Sequence, residues 1–183
     1  MIHFTIAATK LQKALKTVAY AMSKDEKRYY LKGVFFEVTK EKLTLTATDG
    51  HQLATTEVEI ASSGELSIIV PDNVALQLIK AKAEKDEEIL VTMDESIEFE
   101  FKGSSVRTSG IDATFPNYKR VMPKYKNPFE ISFNSGYLEN LRKAVGKKSK
   151  LTIICGNPDE AVTVRDGNST FLLMPMRGGL NSA

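Results

Sequence analysis

One cysteine, Cys155, and two histidines stand in a chain of 183 residues. A lone cysteine excludes an internal disulfide and fits a reducing, cytoplasmic setting. Three such residues, far apart, leave almost no material for a zinc site, so no metal or cofactor is expected. No run of about 18 apolar residues is present, which excludes a membrane-spanning helix. The opening "MIHFTIAATK" has a short apolar stretch without a basic lead and does not read as a signal peptide. No GxSxG occurs, and Gly103, Gly110, Gly156 and Gly167 fall singly at turns, so neither a serine-hydrolase elbow nor a phosphate-binding loop is offered.

What is present is ordinary in amount and unusual in placement. The composition, 42% hydrophobic and 26% charged, is that of a globular protein with a real core. The net charge is only +2. Yet "EKDEEILVTMDESIEFE" (84–100) is rich in acids, and "RKAVGKKSK" (142–150) has five bases and no acid. Segregated charge of this kind predicts a body with one acidic and one basic surface. The acidic run alternates with apolar residues and reads as the solvated face of an outer sheet.

Three segments share one pattern: "IHFTIAATKLQKALKTV" (2–18), "ELSIIVPDNVALQLIKA" (65–81) and "FEISFNSGYLENLRKAV" (129–145). Each is an apolar run, a helix start and a helical stripe, with expected N-caps at Thr9, Asp72 and Ser135. Thr9 with Gln12 fits a capping box, and Pro71 sits just before the second helix. After each helix come three alternating segments broken by Gly, Asp or Asn, which read as antiparallel strands. The unit is therefore β-α-β-β-β, repeated three times, an α+β fold with helices on one face of antiparallel sheets.

In the first helix Leu11, Ala14, Leu15, Val18, Ala19 and Met22 share a stripe, while Lys10, Lys13 and Lys16 lie opposite. Lys80 faces outward on the second. The third has Leu138, Leu141 and Val145 inward and Arg142, Lys143, Lys147 and Lys148 available outward. A basic face on one helix is commonly just solvated. Basic faces on related helices of one repeat line a common surface suited to a phosphate backbone.

The strings "RYYLKGVFFE", "LTATDGHQLA", "FPNYKRVMP" and "LLMPMR", in that order, resemble segments of the bacterial sliding clamp family, the beta subunit of DNA polymerase III. The resemblance implies the DNA clamp fold. It runs from a complete clamp-like domain at 1–123, matching the family's middle domain, to a half domain at 124–183, in which 128–177 match the second half of the last domain. It implies no catalysis, and double-stranded DNA, DNA polymerase and other clamp-motif proteins as partners, with a clamp loader as a further one. Family subunits carry six units and close into rings of twelve. Four chains of three units reach that number, so the expectation is a homo-oligomer, a tetrameric ring being the arithmetic solution. The unpaired strands of the third unit point the same way.

The resemblance also implies a pocket for short client peptides. Carried over residue by residue, its wall is Leu31, Thr48, Gly50, His51, Gln52, Leu53, Pro116, Arg120 and Val121, with Leu172, Leu173, Met174, Pro175, Met176 and Arg177. Gln52 stands where the family often has a basic residue, and Gly178 where it often has a terminal leucine. Leucine, methionine and proline make an adaptable apolar groove, and arginines can hold a peptide's polar groups. Alternate residues of "FLLM" must instead face the core. Asp49 and His51 could be half of a catalytic pair, but Asp-Gly is a common hairpin signal, and a turn is the simpler reading. A ring-less adaptor or decoy for clamp clients, phage or mobile-element encoded, is the alternative function.

Overall fold

The computed structural model describes residues 1–84, 86–126 and 128–176. They fall into two compact units, Met1–Tyr118 and Lys119–Ala183, each taken by itself below.

The first unit is two copies of one half. The first copy is β1 (Ile2–Ala7), α1 (Ala8–Ala19), β2 (Gly33–Val38), β3 (Lys42–Thr48) and β4 (Leu53–Glu59). The second is β5 (Leu66–Pro71), α2 (Asp72–Lys80), β6 (Glu88–Met93), β7 (Ser96–Phe101) and β8 (Ser104–Ser109). The sheets run β4-β3-β2-β5 and β1-β6-β7-β8. Each half thus lends its leading strand to the other half's sheet. The exchange is antiparallel, with Phe4 opposite Val91 and Ile68 opposite Phe36. Where β2 meets β5 the backbones approach so closely that a Cβ on Gly33 would lie 2.3 Å from the Val70 carbonyl oxygen.

Apolar alternation on the strands and the 3.6-residue stripe on the helices converge on one core. It takes Leu11, Leu15 and Val18 from α1, Ala75 and Leu78 from α2, and Phe4, Phe36, Leu45, Val91 and Phe99 from the strands. Phe36 and Phe99, one from each sheet, meet edge to face at 6.1 Å. The acidic run falls at outward positions: Glu100 lies opposite Leu90, and Glu98 opposite Thr92 and Arg107.

The expected capping box does not form. α1 begins at Ala8 with Ala7 as its cap residue and no side-chain cap, and Thr9 lies inside the helix. The reason is the strand exchange. The first helical N–H, that of Ala8, is taken by the Glu87 carbonyl at 2.8 Å, and in the second half Asp72 N–H is taken by the Lys32 carbonyl at 3.0 Å. Backbone from the opposite half thus satisfies a donor that a cap would otherwise serve. Asp72, expected as the cap of the second helix, is instead its first residue: Pro71 holds the cap position, and the Asp72 carboxylate accepts from Asn73 N–H at 2.7 Å.

The second unit holds α3 (Ser135–Val145), β9 (Thr152–Ile154), β10 (Val162–Asp166) and β11 (Ser169–Leu173), the sheet running β11-β10-β9. Its small core is Leu141, Val162 and Val164, with Ile131, Phe133, Phe171 and Leu173 against it. Asn134, not Ser135, caps α3, accepting from Gly136 N–H at 2.9 Å. The expected leading strand "FEISF" is not a strand here: it forms no ladder with β9, β10 or β11. Lys147 and Lys148 are not on the helix: Gly146, at φ +90°, ends it and they follow in a turn.

Candidate functional site

In the first unit two of the carried-over wall residues, Leu31 and Leu53, belong to a second, smaller apolar cluster, while Pro116 is exposed. Leu31 closes the 3-10 turn Glu26–Leu31 and is buried with Ile69, Phe115 and Tyr118, and Leu53 packs against them. Phe115 stacks on Phe35 at 4.6 Å with the rings nearly parallel, and meets Tyr118 edge to face. The Tyr118 hydroxyl donates to Glu37 at 2.5 Å. Sequence reasoning picked Pro116 from "FPNYKR" and passed over Phe115 and Tyr118. The aromatic spacing inside that string was the available signal.

Beside the cluster, "TDGHQ" forms one hydrogen-bonded turn between β3 and β4. Asp49 accepts from His51 N–H at 2.8 Å and Gln52 N–H at 2.9 Å, and its other oxygen accepts from the Gln52 amide at 2.9 Å. These bonds, the His51 backbone bond first, hold the Asp49 carboxyl below its usual range. Thr48 receives Gly50 N–H and donates to the Gln52 carbonyl at 2.7 Å. Gly50 sits at φ +88°, and a Cβ there would lie 2.7 Å from the Arg28 guanidinium. Arg28, absent from the expected wall, donates to the Asp49 carbonyl at 3.0 Å and so ties the turn to the segment carrying Leu31. The carboxyl of Asp49 is committed to donors within the turn, and His51 is exposed. Among the described residues no group of three His, Cys, Asp or Glu could hold a metal ion.

In the second unit β11 and the residues after it alternate. Phe171, Leu173 and Pro175 are half-buried, and Leu172, Met174 and Met176 are exposed. A groove of about 550 Å³ runs between α3 and this strand, floored by Leu141 and Phe171 and rimmed by Tyr137 and Met174. Arg120 and Val121 are exposed. Arg177 lies outside the described residues.

The helix bases are all at the surface. Lys10, Lys13 and Lys16 leave α1 opposite its buried stripe, Lys80 ends α2, and Arg142 leaves α3. Lys143 pairs with Glu139 one turn back at 2.9 Å. Among the described residues no helix is long and apolar enough to cross a membrane.

Two halves that exchange leading strands beneath a pair of lysine-bearing helices define a clamp-type domain. The family model of the DNA polymerase III beta subunit, central domain, matches residues 5–117, close to the bounds of the first unit. The chain is 30% identical over 154 residues to the beta sliding clamp of Pseudomonas aeruginosa, covering 82% of this chain and 41% of that protein. With the beta sliding clamp of Escherichia coli K12 it shares 31% over 125 residues, 67% of this chain and 34% of the other. Among solved structures, the DNA polymerase sliding clamp from Bacillus subtilis superposes with a TM-score of 0.81 at 17% identity, over 94% of this chain and 49% of that one. That from Pseudomonas aeruginosa gives 0.65 at 21%, over 96% and 67%. These two likenesses are likenesses of fold. The chain belongs to the DNA polymerase III beta subunit family. It spans about two fifths of the length of the Pseudomonas relative and about a third of the Escherichia one.

Proposed function

We propose that this chain is a sliding-clamp component: a non-catalytic protein that tracks duplex DNA without reading its sequence and holds client proteins, polymerase among them, by a short peptide motif. The observation that carries the reading is the exposed row Lys10, Lys13 and Lys16 on α1, opposite the core stripe of a domain whose family is the beta subunit. Lysine is a mobile point charge, suited to phosphate contact, and phosphate contacts carry no sequence information. Lys80, Arg142, Lys143, Lys147 and Lys148 extend the basic surface. Client peptides are bound by the Thr48–Leu53 turn with Leu31, Pro116, Arg120 and Val121, and by the outward residues of β11 and its extension, with Arg177 as a further contact. The chain acts as a homo-oligomer in the cytoplasm, a clamp loader being the natural partner for placing a closed form on DNA.

The test is retention on circular duplex DNA at about 0.1 M salt, followed by linearisation. Retention on the circle and release on the linear form support a clamp. Equal behaviour on both, alongside intact binding of a client peptide, would replace this reading with the ring-less adaptor.

A further inference from the structure

The second unit is one half of the architecture that the first unit contains twice, and the first unit shows what a half lacks. Each leading strand there joins the first strand after the helix of the opposite half: β1 on β6, β5 on β2. In the second unit both members of such a pair are free of each other. The leading segment 129–134 is not a strand, and β9 stands at the open edge of its sheet.

The leading segment is nonetheless already held as β5 is. The Ile69 carbonyl of β5 accepts from Ile111 N–H, just after β8, at 2.9 Å. The Ser132 carbonyl accepts from Met176 N–H, just after β11, at 2.7 Å. Ser132 precedes the first residue of α3 by the same three positions as Ile69 precedes that of α2. With Ser132 bonded on that side, antiparallel alternation turns the backbone of its neighbours Ile131 and Phe133 to the other, free edge.

The strand registers identify what is missing there. Val164 lies opposite Ile153 as Phe99 lies opposite Val91, so Ile153 holds the place of Val91 and Leu151 that of Ile89. Val91 is 0% exposed and Ile89 1%, whereas Ile153 is 62% and Leu151 37%. On the helix, Leu138 holds the place of Ala75. It is 44% exposed against 0%. The residues that seal the two halves of the first unit are apolar in the second and open to solvent.

We propose that a second copy of this chain completes the domain, the two second units exchanging leading segments about a two-fold axis. Both exchanges in the first unit project to one register. Phe4 opposite Val91, and equally Ile68 opposite Phe36, place Ile131 of one copy opposite Ile153 of the other. Phe133 then meets Leu151, and Phe129 meets Cys155. A two-fold suits the surface because one copy offers both halves of the contact, an open edge and an apolar strand to fill it. The opposite edge, β11, is left free, so the contact is independent of peptide binding and stands or falls separately from it.

The experiment uses the full 183-residue chain. Light scattering should give twice the 20.3 kDa chain mass, or an even multiple of it. Ile153→Lys, a change at an exposed position, should raise the dissociation constant at least tenfold while far-ultraviolet circular dichroism stays unchanged. Phe129→Cys should form a covalent dimer with the native Cys155 under mild oxidation, read on a non-reducing gel, because directly opposed antiparallel residues lie within disulfide reach. Glu130→Cys, turned to the other face, should not. A monomer at every concentration, an Ile153→Lys protein of undiminished mass, or a Phe129→Cys protein that fails to cross-link would each overturn the proposal.

Discussion

Gln12, on α1, donates its side-chain amide to two carbonyls at the end of α2, those of Leu78 at 3.0 Å and Ala81 at 2.7 Å. The residue that sequence reasoning assigned to a capping box in its own helix thus caps the other one. It fastens the two halves of the first unit where their helices meet. Gln12→Ala strands those carbonyls at a partly buried place and should cost about 1–3 kcal/mol. A urea titration would show a lower midpoint with an unchanged slope. Gln12→Glu should be worse than alanine above pH 6, because a carboxylate facing two carbonyl oxygens can donate nothing.

The aromatic floor should matter more. Phe115 is buried against Phe35 and Tyr118 and supports Leu31 and Leu53. Phe115→Ala should cost about 3–5 kcal/mol, and Phe115→Leu clearly less, since leucine refills most of the cavity. Under the proposed function, Phe115→Leu should also weaken client-peptide affinity by loosening the surface above it. Calorimetric melting and peptide titration on the same samples separate the two effects.

The turn at Asp49 predicts a pH dependence. Backbone donors at His51 and Gln52 lower the Asp49 carboxyl from its ordinary 3.8. A depressed carboxyl stabilises the fold above that ordinary value and loses the contribution as pH falls through its folded value. The turn should hold from neutral pH down to about 4 and loosen below it. Amide chemical shifts of His51 and Gln52 should report this as a titration below 3.8. In Asp49→Ala that titration should vanish and the two amides should exchange faster at pH 7. An unchanged profile in the variant would assign the transition to another group.

How much of this was open to the sequence follows from where the information is local. The β-α-β-β-β period, met in full by the first two copies and without its leading strand by the third, and the α1 stripe rest on side-chain patterning, and Leu11, Leu15 and Val18 are buried as the spacing requires. Antiparallel pairing after each helix follows from the alternation and the turn residues. The exchange of leading strands is not local. Nothing in "IHFTIA" names "EILVTM" as its partner, and the failed capping box follows from that, because Glu87, far along the chain, supplies the Ala8 acceptor. The turn at Thr48–Gln52 was legible as a turn, since Asp-Gly needs a positive φ and Gly50 has one. Arg28 was not, because an arginine spanning 21 residues to a carbonyl leaves no periodic trace; Phe115 and Tyr118 left only their aromatic spacing inside "FPNYKR" as a signal.

The basic face makes a prediction in salt. Under the proposed function, Lys10, Lys13 and Lys16 each meet a phosphate or its water shell. All three are exposed, so each change to serine should move stability by no more than about 0.5 kcal/mol. Duplex affinity should fall for every sequence alike. The slope of log affinity against log salt should shrink by about 0.9 per contact removed. A loss confined to particular sequences would point to base readout and away from a sliding protein.

The alternation along β11 allows the client surface to be tested against its own control. Leu172, Met174 and Met176 are exposed, while Leu173 packs into the small core of the second unit. Changing the three exposed residues to serine should leave the melting temperature nearly unmoved, since their side chains fill no core space. If these residues carry client peptides, affinity should drop at least tenfold, because each replacement removes apolar surface at about 25 cal/mol per Å² of contact. Leu173→Ser should do the opposite, costing about 2–5 kcal/mol of stability, with weakened binding only in proportion to unfolding. Isothermal titration with a client-motif peptide, paired with thermal melts, reads both. Equal affinity in the triple variant would remove this strand from the peptide surface and leave the Thr48–Leu53 turn as its remaining candidate.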